Sequence, residues 1–137
     1  MISLSSAILK KLLAKLEQTT EESCGFILGK PVLEEDRIGL FFPVENNSDG
    51  DKSKRYKISS KDYLFTEKSA IEMGLSILGV YHTHINHPAI PSELDRKFAF
   101  PGFHYLIISL VDFSFSELKC WKINNQRKFV EESIQFN

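Results

Sequence analysis

Apolar residues recur along this chain with two periods. Ile8, Leu9, Leu12, Leu13 and Leu16 keep helical spacing behind Ser5 and Ser6, either of which can cap a helix, and Ile2 and Leu4 alternate ahead of them as in a short strand. Ser23 to Gly29 (SCGFILG) and Arg37 to Val44 (RIGLFFPV) are short apolar runs that read as strands, with Pro43 marking an edge or a bend. Asn46 to Arg55 (NNSDGDKSKR) holds the turn pair Asp49-Gly50 and no apolar anchor, the composition of a mobile, solvated loop. Its Lys52, Lys54 and Arg55 are available to an acidic surface. Tyr56 to Ile58 reads as strand again, after which Ser59 or Ser60 caps a second helix carrying Tyr63, Leu64, Ala70 and Ile71 as far as Gly74. Ser76 to His84 (SILGVYHTH) is a buried strand. Ser92 opens a short helix (SELDRKFAF) closed by Pro101-Gly102, and the runs Tyr105–Val111, Phe115–Ile123 and Lys128–Ile134 read as a C-terminal sheet. No repeat or linker interrupts this order. The expected fold class is α/β, a mixed sheet flanked by about three helices, in a single domain spanning residues 1–137. Phe98, Phe100 and Phe103 are expected in the core first and facing substrate second, and His104 is most simply a histidine at a strand start.

Composition narrows the classes of function. With 137 residues, 42% hydrophobic and 26% charged, the chain can bury a core without disulfide or metal, so a metal would point to chemistry. The 17 basic and 18 acidic residues leave a net charge of −1 and no basic excess, which argues against nucleic acid as primary partner. Cys24 and Cys120 follow no C-x-x-C spacing and are expected as reduced thiols, Cys24 as a small buried apolar residue. No run approaches the roughly 18 apolar residues of a membrane span, and the expectation is a soluble, cytoplasmic protein.

The chemistry is concentrated in Val80–Asp95 (VYHTHINHPAIPSELD), which holds three of the four histidines. On an extended strand His82 and His84 point to one face, so two imidazoles converge. A catalytic zinc needs three protein ligands and an open fourth position, and Asp95, in the first turn of the following helix, is the candidate third ligand. His87 is the alternative to it. A general base must still take the proton of the attacking water and deliver it to the leaving amine. Glu22, just ahead of the Ser23-Cys24-Gly25 strand, is the candidate, with Glu21 as rival or the two as an ordinary solvated pair. Ser92 can hold the oxyanion of a tetrahedral intermediate, while Ser92-x-x-Asp95 is also an approximate capping box; the two roles are compatible.

A Glu before a Cys-Gly strand, then H-x-H, seven residues and S-x-x-D, resembles the JAMM (MPN+) metalloproteases, and the chain looks like their small prokaryotic members. Glu22-x-Cys24-Gly25, the Val44–Asn47 strand end, Gly79–His84, Pro91-Ser92-x-x-Asp95, Tyr105–Leu110, Trp121–Ile123 and Phe129–Glu132 follow the pattern in order, over nearly the whole chain. Ile85 departs from it, standing where these proteins often have Pro. The resemblance implies a cytidine-deaminase-like plan, one catalytic zinc (Zn2+) on His82, His84 and Asp95, Glu22 as base, and Ser92 steadying the oxyanion. It further implies hydrolysis of the bond after the C-terminal Gly-Gly of a ubiquitin-like or sulfur-carrier β-grasp protein, whose side-chain-free tail can lie extended in a narrow groove. Trimming a sulfur carrier, removing a modifier and serving a conjugation system in phage defence are the settings it leaves open. The alternative is a catalytically silent MPN-type scaffold or protein-binding module, against which stands the presence of every expected site side chain.

Competing motifs fail on specific residues. His82-x-His84-x-Asn86-His87 approaches the H-x-H-x-D-H of metallo-β-lactamase-like hydrolases, but Asn86 replaces the ligating Asp. The Pro-Cys-x-x-Cys pair of the zinc deaminases and the H-E-x-x-H helix are both absent.

Overall fold

A computed structural model describes all of residues 1–137. Its elements in chain order are β1 (Ile2–Leu4), α1 (Ser6–Leu16), β2 (Cys24–Val32), β3 (Glu35–Val44), α2 (Ser60–Glu72), β4 (Ser76–Ile85), α3 (Glu93–Phe98), β5 (His104–Val111), β6 (Ser114–Ile123), β7 (Phe129–Glu132) and β8 (Ile134–Phe136). The strands make one eight-stranded mixed sheet in the order β7-β6-β5-β4-β2-β3-β1-β8. Pairing is parallel for β4/β5, β1/β3 and β1/β8 and antiparallel elsewhere.

Alternation along the central strands sorts the core onto two faces. Ile27, Tyr81, Leu106 and Ile108 meet α1 through Leu12 and Leu16, while Phe26, Val80 and Tyr105 meet α2 through Ala70. Each fully buried Leu of α1 contributes about 1.5–3 kcal/mol, which holds the helix to its face. One extra residue in β4 breaks the alternation: Ile27 pairs Gly79 but Leu28 pairs Ile77, so Leu78 is bulged and shares a face with Tyr81. The bulge sets which face receives the next residues of β4. Beyond it, His82 and His84 follow Val80 onto the α2 side. Gly79 admits the close approach of β5, since a Cβ there would lie inside the His104 carbonyl.

β7 and β8 stand at opposite ends of the strand order although only Ser133 separates them in sequence. One residue spans a few ångströms, so the sheet curls until its two edges nearly meet. The run Lys128–Ile134 is therefore two strands, one pairing β6 and the other returning to β1, and all the C-terminal strands belong to the single sheet. Tyr56–Ile58 is not a strand; it crosses the α2 face with Tyr56 and Ile58 packed on the core. Phe98 and Phe100 are exposed, at 67% and 64%, and only Phe103 of the three phenylalanines packs on the core. α3 is too short and too solvated to bury them.

Candidate active site

The backbone of β4 does the first part of the placement. His82 lies opposite Cys24 of β2 and Ile107 of β5, His84 opposite Ser109, and both side chains are at most 2% exposed. Their Nε2 atoms are 3.1 Å apart, and each is 3.3 Å from Asp95 Oδ2. The other nitrogen of His84 fixes its tautomer: Nδ1–H donates to the Pro88 carbonyl at 2.7 Å, which turns the Nε2 lone pair toward Asp95. The His82 ring stacks on Tyr56 at 4.3 Å and its Nδ1 is buried without a partner, so its polar contacts are all made through Nε2.

The loop that brings Asp95 back over the strand end is fastened along its length. Asn86 turns with φ 60°, its N–H donating to Leu110 O at 2.7 Å and its side-chain oxygen accepting from Asp112 N at 2.9 Å. Ser109 Oγ donates to His87 O at 2.6 Å, Glu117 accepts from Ala89 N at 2.9 Å, and Trp121 Nε1 donates to Ala89 O at 3.0 Å. Ser92 then caps α3 in a full capping box: its hydroxyl accepts from Asp95 N at 3.0 Å, and Asp95 Oδ2 accepts from Ser92 N at 2.8 Å.

Burial separates the two glutamates. Glu21 is exposed, whereas Glu22 is 3% exposed and its Oε2 lies 3.4 Å from His87 Nε2. The Glu22 backbone is clamped from both directions: its N–H donates to Lys52 O at 2.6 Å and its carbonyl accepts from Asn46 Nδ2 at 2.9 Å. One residue on, Ser23 N–H donates to Thr83 Oγ1 at 2.8 Å and Thr83 N–H returns to Ser23 O at 2.9 Å. Asn46 also donates to Arg55 O and accepts from the N–H groups of Ser48 and Lys57, so the polar loop expected to be slack is stitched at both ends beside Glu22. His87, half-exposed, stacks on His84 at 4.0 Å. It groups with Glu22 and His84, not with the pair that Asp95 completes.

Electrostatics follows from this crowding. Burial pushes the Glu22 carboxyl up to about 8, with His84 pulling it down and Asp95 pushing it further. Burial raises Asp95 as well, but the His82 charge, both imidazoles and the Ser92 N–H overcome it and hold the carboxyl far below the usual carboxylate range. Burial holds His82 below the usual imidazole value despite Asp95, while His84, also opposed by burial, is raised by Asp95 and the Pro88 carbonyl. Cys24 is pushed up to about 12 by burial, an inert thiol.

The donor set fits a divalent metal. Ligand atoms about 2.0–2.1 Å from a tetrahedral zinc are about 3.3 Å from one another, the spacing of the His82, His84 and Asp95 atoms. Two imidazole lone pairs and a carboxylate oxygen aimed at one point repel unless a cation or shared protons lie between them. Asn46, Thr83, Tyr56 and Pro88 have no signal in the motif. They hold its residues in place by hydrogen bonds and stacking, and only the Asx-rich start of the 46–55 loop hints at one of them.

Residues 5–124 match the family described as prokaryotic homologs of the JAB domain. A desampylase of Pyrococcus furiosus is 25% identical over 127 residues, covering 92% of this chain and 84% of that protein. Solution structures of a Desulfitobacterium hafniense protein (27% identity, TM-score 0.86, 100% of this chain and 93% of that one) and a Salinibacter ruber protein (32% identity, TM-score 0.77, 100% and 92%) share the fold. A crystal structure of a JAB1/MPN domain protein from Archaeoglobus fulgidus, 17% identical with TM-score 0.63 over 99% and 98% of the two chains, shares the fold alone.

Proposed function

The chain belongs to the prokaryotic JAB branch of the JAMM/MPN proteins, and from that premise we propose that it is a zinc-dependent isopeptidase acting on a ubiquitin-like or sulfur-carrier protein at the bond after its terminal Gly-Gly. The observation that carries the reading is the 3.1–3.3 Å triangle of His82, His84 and Asp95 donors with the buried Glu22 carboxyl beside it. The similarity to a desampylase supports the substrate class.

His82, His84 and Asp95 would hold the ion, and zinc bound there would supply Lewis acidity toward a water and a peptide carbonyl. Glu22 takes a proton at its carboxylate and hands it to the departing amine. Burial raises its proton affinity and a cation held beside it would lower it again, which leaves the carboxylate free to accept a proton and return it. The Lys52 carbonyl holds the peptide before this base, and Asn46 and Thr83 hold the peptide after it, so its backbone is fixed on both sides. The Ser92 hydroxyl uses a lone pair in the helix cap, which leaves its O–H to donate to the developing oxyanion. Ile90, Phe98 and Phe100 are exposed on the segment that carries Ser92, apolar surface available to the body of a β-grasp partner.

The test is cleavage of ubiquitin-like and sulfur-carrier fusions extended past Gly-Gly, read by intact mass, with zinc-loaded protein. Cleavage after Gly-Gly is expected, abolished by chelator and by Glu22→Ala with zinc still bound. Turnover that survives Glu22→Ala removes Glu22 as base, and bound zinc with no cleavage of any fusion shifts the reading to a binding module.

A further inference from the structure

A second group of metal-ligating side chains lies away from this site, at the seam where the curled sheet closes. His104 begins β5, Cys120 lies in β6 and Glu132 ends β7, and one ligand atom of each falls within 4.8 Å of the others. His104 Nδ1 and Cys120 Sγ both meet the same oxygen, Glu132 Oε1, the thiol at 3.1 Å. The second ring nitrogen of His104 is held by Asp36 Oδ2 of β3 at 2.7 Å. His104 is 2% exposed, Cys120 0% and Glu132 15%, so the three converge in the interior rather than on a solvated surface.

We propose that His104, Cys120 and Glu132 form a second, structural binding site for a divalent metal of borderline softness such as zinc, with Asp36 orienting the histidine. The chemistry of the donors selects this class of ion. Thiolate, imidazole and carboxylate are each zinc ligands, and a set containing sulfur disfavours magnesium and calcium. A ligating histidine characteristically donates its remaining N–H to a carboxylate, which is the part Asp36 plays. An ion pair of His104 with two carboxylates would need no thiol on the same carboxylate oxygen. Charge also balances: metal entry displaces the Cys120 thiol proton and any proton on His104 Nδ1, and the dication is then neutralised by one thiolate and one carboxylate. Asp36 keeps its bond to the Nε2–H. An ion here would tie β5, β6 and β7 to the β3 side, across the closure that the chain itself spans only through Ser133.

Cobalt reads this site separately from the catalytic one, because His82, His84 and Asp95 include no sulfur. Wild-type protein titrated with Co2+ is expected to develop thiolate-to-cobalt charge-transfer absorption in the near ultraviolet, and elemental analysis after zinc loading to give about two zinc ions per chain. Cys120→Ser should abolish the band and lower zinc to about one, Cys24→Ser should leave both unchanged, and Asp95→Ala should keep the band while losing the other ion. No charge-transfer band in the wild type overturns the proposal and leaves an ion triad at the seam. So does a band that survives Cys120→Ser. If Cys120→Ser fails to fold, a band retained by Cys24→Ser assigns the thiolate to Cys120, and a band lost in Cys24→Ser overturns the proposal.

Discussion

Replacing Glu22 by Gln tests the electrostatics of the site in the metal-free protein, where the buried carboxyl has no cation to face. Its proton affinity is raised from an ordinary 4.5 to about 8, chiefly by burial. At about 1.4 kcal/mol per factor of ten, that difference sets the penalty for burying the charged form at roughly 4–5 kcal/mol. Because the folded state binds this proton more tightly than the unfolded chain, the associated stability is complete below pH 4.5 and is lost as pH rises through about 8. Between pH 5 and pH 8 the wild type should therefore lose about 3 kcal/mol that the neutral isostere keeps, a large share of the 5–15 kcal/mol typical of a domain. The substitution also removes the charge that raises His84, so the difference reports residue 22 together with its coupling to that imidazole. Urea unfolding of chelator-treated protein at the two pH values measures it. Near-equal stability at pH 5 and a Glu22→Gln advantage of about 3 kcal/mol at pH 8 are expected. Curves that stay parallel within about 0.5 kcal/mol would refute the argument, because Glu22 would then be charged in the folded state at no penalty.

Ser92→Ala should lower kcat by about 10²-fold with little change in KM if the hydroxyl steadies the oxyanion, and an unchanged kcat leaves Ser92 the helix cap alone. Asn46→Ala removes four hydrogen bonds around Glu22, so about 1–3 kcal/mol of stability should be lost and kcat should fall more than KM rises; an unaltered kcat separates the loop from the base. Phe98→Ala should raise KM about 5-fold on a protein substrate and leave kcat in place, and equal effects on a short Gly-Gly peptide would remove this exposed apolar surface from substrate docking. Asp95→Asn keeps an oxygen for the Ser92 N–H but carries no charge. Zinc at this site should fall well below one per chain, and metal-free stability at neutral pH should fall as well because the carboxylate that the imidazoles and the Ser92 N–H hold ionised is gone; undiminished zinc would exclude Asp95 as ligand.

Strand and helix identities were legible where one period dominated: α1 from its leucines, β4 from its unbroken apolar run, α3 from Ser92 and its capping partner. Two of the misreadings share a cause, since sequence neighbours say nothing of the sheet's closure. Lys128–Ile134 looks like one strand because Ser133 carries no turn signal, yet the chain steps there from one edge of the sheet to the other. His104 looks like an isolated strand-start histidine because its carboxylate partners come from β3 and β7, 68 and 28 residues away. The 46–55 loop has the composition of slack, and composition cannot display the one asparagine whose amide reaches Glu22, just ahead of β2 and 24 residues back. Along β4 the candidate site was legible for the opposite reason, since a period of two puts His82 and His84 together whatever the rest of the chain does.

Asp95 shows why two readings of Ser92-x-x-Asp95 need not compete. Its Oδ2 accepts the Ser92 N–H at 2.8 Å and lies 3.3 Å from both imidazole nitrogens, so one oxygen both closes the helix cap and completes the donor triangle. α3 has six residues and buries none of them, which leaves little apolar packing to keep it formed. What holds it is polar and terminal: the capping box at one end, and at the other Arg127, which donates to the carbonyls of Arg96, Lys97 and Ala99. A cation drawn to Oδ2 would pull on the same atom that organises the first turn. The spacing that caps the helix is thus the spacing that carries Asp95 to the histidines.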